Sequence, residues 1–208
     1  MKDRIDYTMY LVTDRDMLLD ISLEKAVEEG ILGGATLVQL REKDISTREF
    51  YEITSKVKKI TDQYNVPLII NDRLDIALAV DASGVHVGQS DMEASIVRKI
   101  IGEEKILGVS ARTLEEAKKA ERDGADYLGV GAMFGTNTKK DAKNVSFEEL
   151  DKIRGEVSIP IVAIGGINEN NVAELKGKGI DGIAVISAVL HRKDIKEASE
   201  NLIQLFTS

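Results

Sequence analysis

Between positions 37 and 43 the chain reads Leu37-Val38-Gln39-Leu40-Arg41-Glu42-Lys43. Successive side chains of a strand point to opposite faces, so Val38 and Leu40 share an apolar face while Gln39, Arg41 and Lys43 share the other. An amide and two cations converging on one opening suit an anion. The plain alternative pairs Arg41 and Lys43 with Glu42 and Asp44 on the surface, as loop charges commonly do.

Two carboxylates recur in similar settings, in Asn71-Asp72-Arg73 and in Gly88-Gln89-Ser90-Asp91. Either aspartate alone reads as a helix cap. At neighbouring strand ends they could instead share a hard divalent cation, because magnesium commonly takes one or two carboxylates plus substrate phosphates. Further on, Gly135-Thr136-Asn137-Thr138-Lys139 combines two hydroxyls, a glycine and a lysine, which suits phosphate contacts or simply a solvated polar loop. The connection from Gly135 to Val145 is long enough to form a flap. Ile164-Gly165-Gly166-Ile167 and Val185-Ile186-Ser187-Ala188 supply glycines and backbone amides of the kind that cradle phosphate, or tight turns chosen for geometry. His86, in an apolar run, and His191, in a polar one, read as a satisfied structural group and a solvated one; neither enters the expected chemistry. Met133 and Phe134 read as packing.

These groups need elements to hold them. Eight β-rich runs stand at 8–14, 37–42, 68–73, 84–89, 106–111, 127–133, 159–166 and 182–187, with helical patterns between them, among them 46–64, 113–124 and 168–179. Strands separated by helices pair in parallel through right-handed crossovers. Eight such units predict an α/β fold, a closed (β/α)8 TIM barrel built as one domain over 1–208, with its chemistry at the C-terminal ends of the strands. Gly34, Gly124 and Gly179 each end a helical pattern just before a strand, a folding repeat. Pro67 and Pro160 stand at strand starts, where no ladder bond is lost.

Composition narrows the classes. The 208 residues contain no cysteine and two histidines, so disulfides, thiolate chemistry and a histidine-rich metal cluster are excluded. A net charge of −8 argues against nucleic acid or an anionic membrane as partner, and requires any anion site to gather positive charge locally. No apolar run approaches the roughly 18 residues of a spanning helix, and the first residues carry no secretory pattern, so a cytoplasmic location is expected.

In sequence order, QLREK (39–43), ND (71–72), HVGQSD (86–91), GVS (108–110), TNTK (136–139), IGGI (164–167) and VISA (185–188) together resemble the thiamine-phosphate synthase family along nearly the whole chain. The resemblance implies a transferase that joins 4-amino-5-hydroxymethyl-2-methylpyrimidine diphosphate to 4-methyl-5-(2-phosphoethyl)thiazole or its carboxylated form, releasing diphosphate. Carried over residue by residue, it gives Gln39, Leu40, Arg41, Glu42, Lys43, Asn71, Ser110 and Lys139 as pyrimidine-diphosphate contacts. Thr136, Asn137, Thr138, Gly166, Ile186 and Ser187 fall on the thiazole phosphate, and Asp72 and Asp91 on Mg2+. Lys139, Arg41 and Lys43 are the expected catalytic cations. Gly135 departs from the proline often found before the first threonine. The partners implied are small phosphorylated molecules; a homo-oligomer stays open. A related thiazole tautomerase resembles this chain but uses a histidine shortly after the sixth strand, where Ala132 and Met133 stand. A non-catalytic thiamine-phosphate sensor would lose metal or leaving-group residues, whereas Asp72, Asp91 and Lys139 are all present.

Overall fold

The structure, a computed structural model, describes residues 5–135 and 144–208. Strands β1 (Met9–Val12), β2 (Leu37–Leu40), β3 (Leu68–Asn71), β4 (Gly84–Val87), β5 (Ile106–Ala111), β6 (Tyr127–Val130), β7 (Ile161–Ile164) and β8 (Gly182–Val185) pair in parallel in chain order. The barrel closes where β8 meets β1, Met9 opposite Ile183 and Leu11 opposite Val185.

Around it lie α1 (Leu23–Leu32), α2 (Thr47–Gln63), α3 (Leu74–Ala79), α4 (Ala94–Ile101), α5 (Leu114–Arg122), α6 (Phe147–Glu156), α7 (Ser187–Leu190) and α8 (Ile195–Thr207). The side chains of Ser22, Ser46, Thr113, Ser146 and Asp194 each accept from a backbone N–H in the first turn of the helix that follows, so the start signals for α1, α2, α5, α6 and α8 are local.

The period of two sorts the strand residues into two cores. Tyr10, Val12, Leu37, Ile69, Ile106, Tyr127, Val162 and Ala184 fill the barrel, whereas Leu11, Val38, Leu40, Ile70, Val85, Leu107 and Leu128 pack outward under the helices. Pro67 and Pro160 lose no ladder bond; their carbonyls accept from Val38 N and Leu128 N.

Two expectations change. Most strands stop short of the expected limits: β2 ends at Leu40 rather than 42 and β6 at Val130 rather than 133. The residues past those ends form the mouth. The helical pattern at 168–179 yields only a 3-10 turn, Val172–Leu175, before positive φ values at Gly177 and Gly179 (71° and 67°) reverse the chain. Val172 and Leu175 are its only buried residues, and a single tight turn suffices to bury both.

Candidate active site

Side chains of the inward-facing parity climb the barrel wall and emerge at the C-terminal ends of the strands. A cavity of about 110 Å3 opens there, lined among others by Gln39, Arg41, Asn71, His86, Ser110 and Ile186. Five strands thus bring together groups that lie far apart in sequence.

β2 delivers the cations as its alternation predicts, though with other partners than Glu42 and Asp44. Arg41 Nη1 lies 3.2 Å from Asp14 Oδ2, just past β1, and Arg41 N donates to Thr13 Oγ1 at 3.0 Å. Lys43 Nζ lies 2.5 Å from Asp72 Oδ2. The Glu42 side chain is buried and pairs instead with Arg15 at 2.8 Å. Burial holds its carboxyl above the usual carboxylate range against the opposing pull of Arg15. Leu40 is fully buried in the outer core, so its side chain faces away from the mouth and only its backbone stays near the strand end. The pleat thus turns the Gln39 and Arg41 side chains to the cavity and those of Leu40 and Glu42 away from it.

Neither aspartate caps a helix. Arg73 precedes α3 and Glu93 precedes α4, without a side-chain cap bond in either case. Asp72 adopts φ 61°, in the left-handed region, and Asp91 Oδ2 accepts from Gly88 N at 2.7 Å. Burial and the Asp72 carboxylate facing it hold Asp91 above its ordinary carboxylate range. Two carboxylates crowded together with like charge fit a hard divalent cation. Among the described residues no cluster of three or more His, Asp or Glu could hold a metal. A cation there would complete its shell with phosphate oxygens and water, as magnesium does.

On the opposite side of the mouth, Gly165 and Gly166 take φ 99° and 68°. A Cβ on Gly166 would lie 2.5 Å from Gly135 O and 2.8 Å from Phe134 O, so the turn after β7 fits against the turn after β6 only with glycine there. The Gly166 carbonyl accepts from Asn168 Nδ2 and Asn171 Nδ2, each at 2.9 Å. Ile186 is half-buried on the cavity wall, and Ser187 opens α7. Thr136, Asn137, Thr138 and Lys139 lie outside the described residues.

Sequence reading missed the support beneath these groups. His86 faces inward from β4, its Nε2 2.9 Å from Ser110 Oγ. Gln89 Nε2 donates to Ser110 O at 2.7 Å. Asp14 also went unnoticed as the partner of Arg41. A histidine in an apolar strand gives no sign of which face it takes, whereas Asp14 carried a signal: it follows an inward-facing run at a strand end.

A closed parallel barrel whose C-terminal mouth gathers cations, paired carboxylates and a glycine turn defines an enzyme class that handles small phosphorylated molecules. A profile of the family described as thiamine monophosphate synthase matches residues 9–189. Thiamine-phosphate synthase of Clostridium tetani is 65% identical over 202 residues, covering 97% of each chain. That of Ruminiclostridium cellulolyticum is 62% identical over 208 residues, covering 100% of this chain and 99% of the relative. Thiamine phosphate pyrophosphorylase of Pyrococcus furiosus superposes with TM-score 0.89 at 42% identity, covering 97% of this chain and 96% of that one. The chain belongs to the thiamine-phosphate synthase family, and its reaction class is transferase.

Proposed function

We propose that this chain joins 4-amino-5-hydroxymethyl-2-methylpyrimidine diphosphate to 4-methyl-5-(2-phosphoethyl)thiazole or its carboxylated form, with the pyrimidine diphosphate held between β2, β3 and β5. The bond from the pyrimidine methylene to the diphosphate oxygen breaks, its electron pair leaving with the diphosphate. The thiazole nitrogen then forms the new bond to that methylene carbon.

Gln39 and Ser110 hold the ring and Asn71 the adjoining wall. Arg41, oriented by Asp14, and Lys43 face the charge that builds on the departing diphosphate, with Lys139 as a third cation. Asp72 and Asp91 are the magnesium ligands in this reading; the ion, when bound, supplies positive charge opposite the leaving group. Thr136, Asn137, Thr138, Gly166, Ile186 and Ser187 receive the thiazole phosphate, with the positive-φ turn at Gly166 presenting backbone rather than a side chain. No protein nucleophile is required, because positioning the two substrates supplies most of what the second step needs.

The observation that carries this reading is the Asp72 and Asp91 pair standing beside Lys43 at the mouth that also collects Gln39, Arg41 and Ser110. Among the described residues no helix is long and apolar enough to cross a membrane. Purified protein given both substrates should form thiamine phosphate and diphosphate with Mg2+ and stop when the metal is chelated. Full turnover in chelator would remove the metal from the reading, and absence of product with metal would remove the reaction.

A further inference from the structure

Five polar side chains from five strands form one continuous hydrogen-bonded chain through the barrel. Gln39 Nε2 donates to Tyr10 Oη at 2.7 Å, and Tyr10 Oη lies 2.7 Å from Tyr127 Oη. Tyr127 Oη lies 2.9 Å from His86 Nδ1, and His86 Nε2 lies 2.9 Å from Ser110 Oγ. The backbone makes room for it. A Cβ on Gly108 would overlap the Tyr127 ring, and one on Gly129 would lie 3.0 Å from His86 Cε1.

Proton counting gives this chain a direction. An amide nitrogen only donates, so Tyr10 accepts from Gln39 and gives its single proton to Tyr127. Tyr127, having accepted, gives its own to His86 Nδ1. A nitrogen that accepts carries no hydrogen, so the network assigns the imidazole proton to Nε2, which donates to Ser110 Oγ. The hydroxyl proton of Ser110 is then the last in the line. Burial holds both tyrosine hydroxyls far above their usual range, so neither breaks the line by ionising.

We propose that Tyr10, Tyr127 and His86 are positioning residues that lock the two ends of the pyrimidine-diphosphate site with opposite polarity, Gln39 offering its carbonyl oxygen and Ser110 its hydroxyl proton. The proposal rests on the reading that Gln39 and Ser110 contact that substrate, and adds what orients them. A substrate ring is then accepted when it brings a donor to Gln39 and an acceptor to Ser110; the reverse arrangement faces two like groups at once. Buried polar groups left unpaired in this way discriminate strongly between otherwise similar rings.

Long-range 1H–15N correlation spectra of the 15N-histidine protein read the tautomer directly without substrate. Only His191 shares the spectrum, and His191→Gln assigns it. His86 should carry its proton on Nε2. Tyr10→Phe should keep that tautomer, because Tyr127 still donates to Nδ1, whereas Tyr127→Phe should give a mixture. In Tyr127→Phe, KM for the pyrimidine diphosphate should rise about tenfold while KM for the thiazole phosphate stays unchanged. A proton on Nδ1 in the unsubstituted protein, or an unchanged tautomer and KM in Tyr127→Phe, overturns the proposal. Gln39→Ala and Ser110→Ala separate the underlying reading: if both bind the pyrimidine diphosphate normally, the substrate assignment fails and the tautomer pattern alone decides the direction of the chain.

Discussion

The Lys43 ammonium rests on the Asp72 carboxylate, Nζ to Oδ2 at 2.5 Å, with the lysine half exposed. A pair this open contributes under about 1 kcal/mol, little enough for a diphosphate to draw Lys43 away from Asp72. The same carboxylate is thereby released toward a cation arriving with that diphosphate.

Asp72→Asn and Asp91→Asn should fold as well as the parent, because neither aspartate caps a helix and the neutral amide relieves the crowding felt at Asp91. Thermal unfolding without metal should show equal or slightly raised midpoints. Activity should fall sharply, with more Mg2+ needed for half-maximal turnover. Unchanged Mg2+ dependence in both variants would place the metal elsewhere.

Asp14→Asn should loosen Arg41 while leaving the guanidinium in place. Loss of one largely buried pairing at 3.2 Å predicts a rise of about three- to tenfold in KM for the pyrimidine diphosphate, with kcat less affected. Steady-state kinetics with the thiazole phosphate saturating measures it, and an unaltered KM would show that Arg41 needs no such holder.

Gly166→Val is disfavoured twice, by φ 68° and by the approach of Gly135 O and Phe134 O. We expect a loss of about 1–3 kcal/mol in urea unfolding. Thiazole-phosphate binding should weaken in calorimetric titration while pyrimidine-diphosphate binding is largely spared. Equal thiazole-phosphate affinity in the folded variant would displace that subsite.

Lys139→Ala, at a position outside the described residues, should slow the bond-breaking step about a hundred- to thousand-fold if its ammonium gains interaction as charge collects on the leaving group. Single-turnover mixing isolates that step, and a near-normal rate would end the role.

Arg98 tests stability apart from chemistry. Its guanidinium is buried, donates to the carbonyls of Gly102, Lys105 and Gly124, and pairs with Asp126 at 2.5 Å. Arg98→Met should cost about 3–5 kcal/mol in denaturant unfolding, the range for breaking a buried pair by removing one partner. KM values should hold.

The fold was legible because its signal is repeated and short in range: a strand pattern, a capping serine or threonine, a glycine stop. The segment 168–179 misled because helical residue types are present while only Val172 and Leu175 have a core to enter. In the site, alternation from Gln39 to Lys43 was enough to predict a shared face. It could not say that Asp14 holds Arg41, since that pairing exists only once β1 and β2 lie side by side. The link between Tyr10 and Tyr127 spans 117 positions, and both tyrosines read locally as ordinary strand aromatics. Leu40 and Glu42 show the converse: the motif names neighbours together, while the pleat sends alternate side chains to different faces.

The pairing of β1 with β8 carries a cost during synthesis. Tyr10 leaves the ribosome long before Ala184, the residue opposite it, has been made. At about 5–20 residues per second that wait is roughly ten to thirty seconds. Throughout it β1 has one partner strand at most and shows its other edge to the cell, the condition in which strands recruit the wrong neighbour. Only four residues long, β1 offers little of that edge. The last strand therefore does more than finish a wall: its arrival covers the edge that β1 leaves unpaired while the rest of the chain is made.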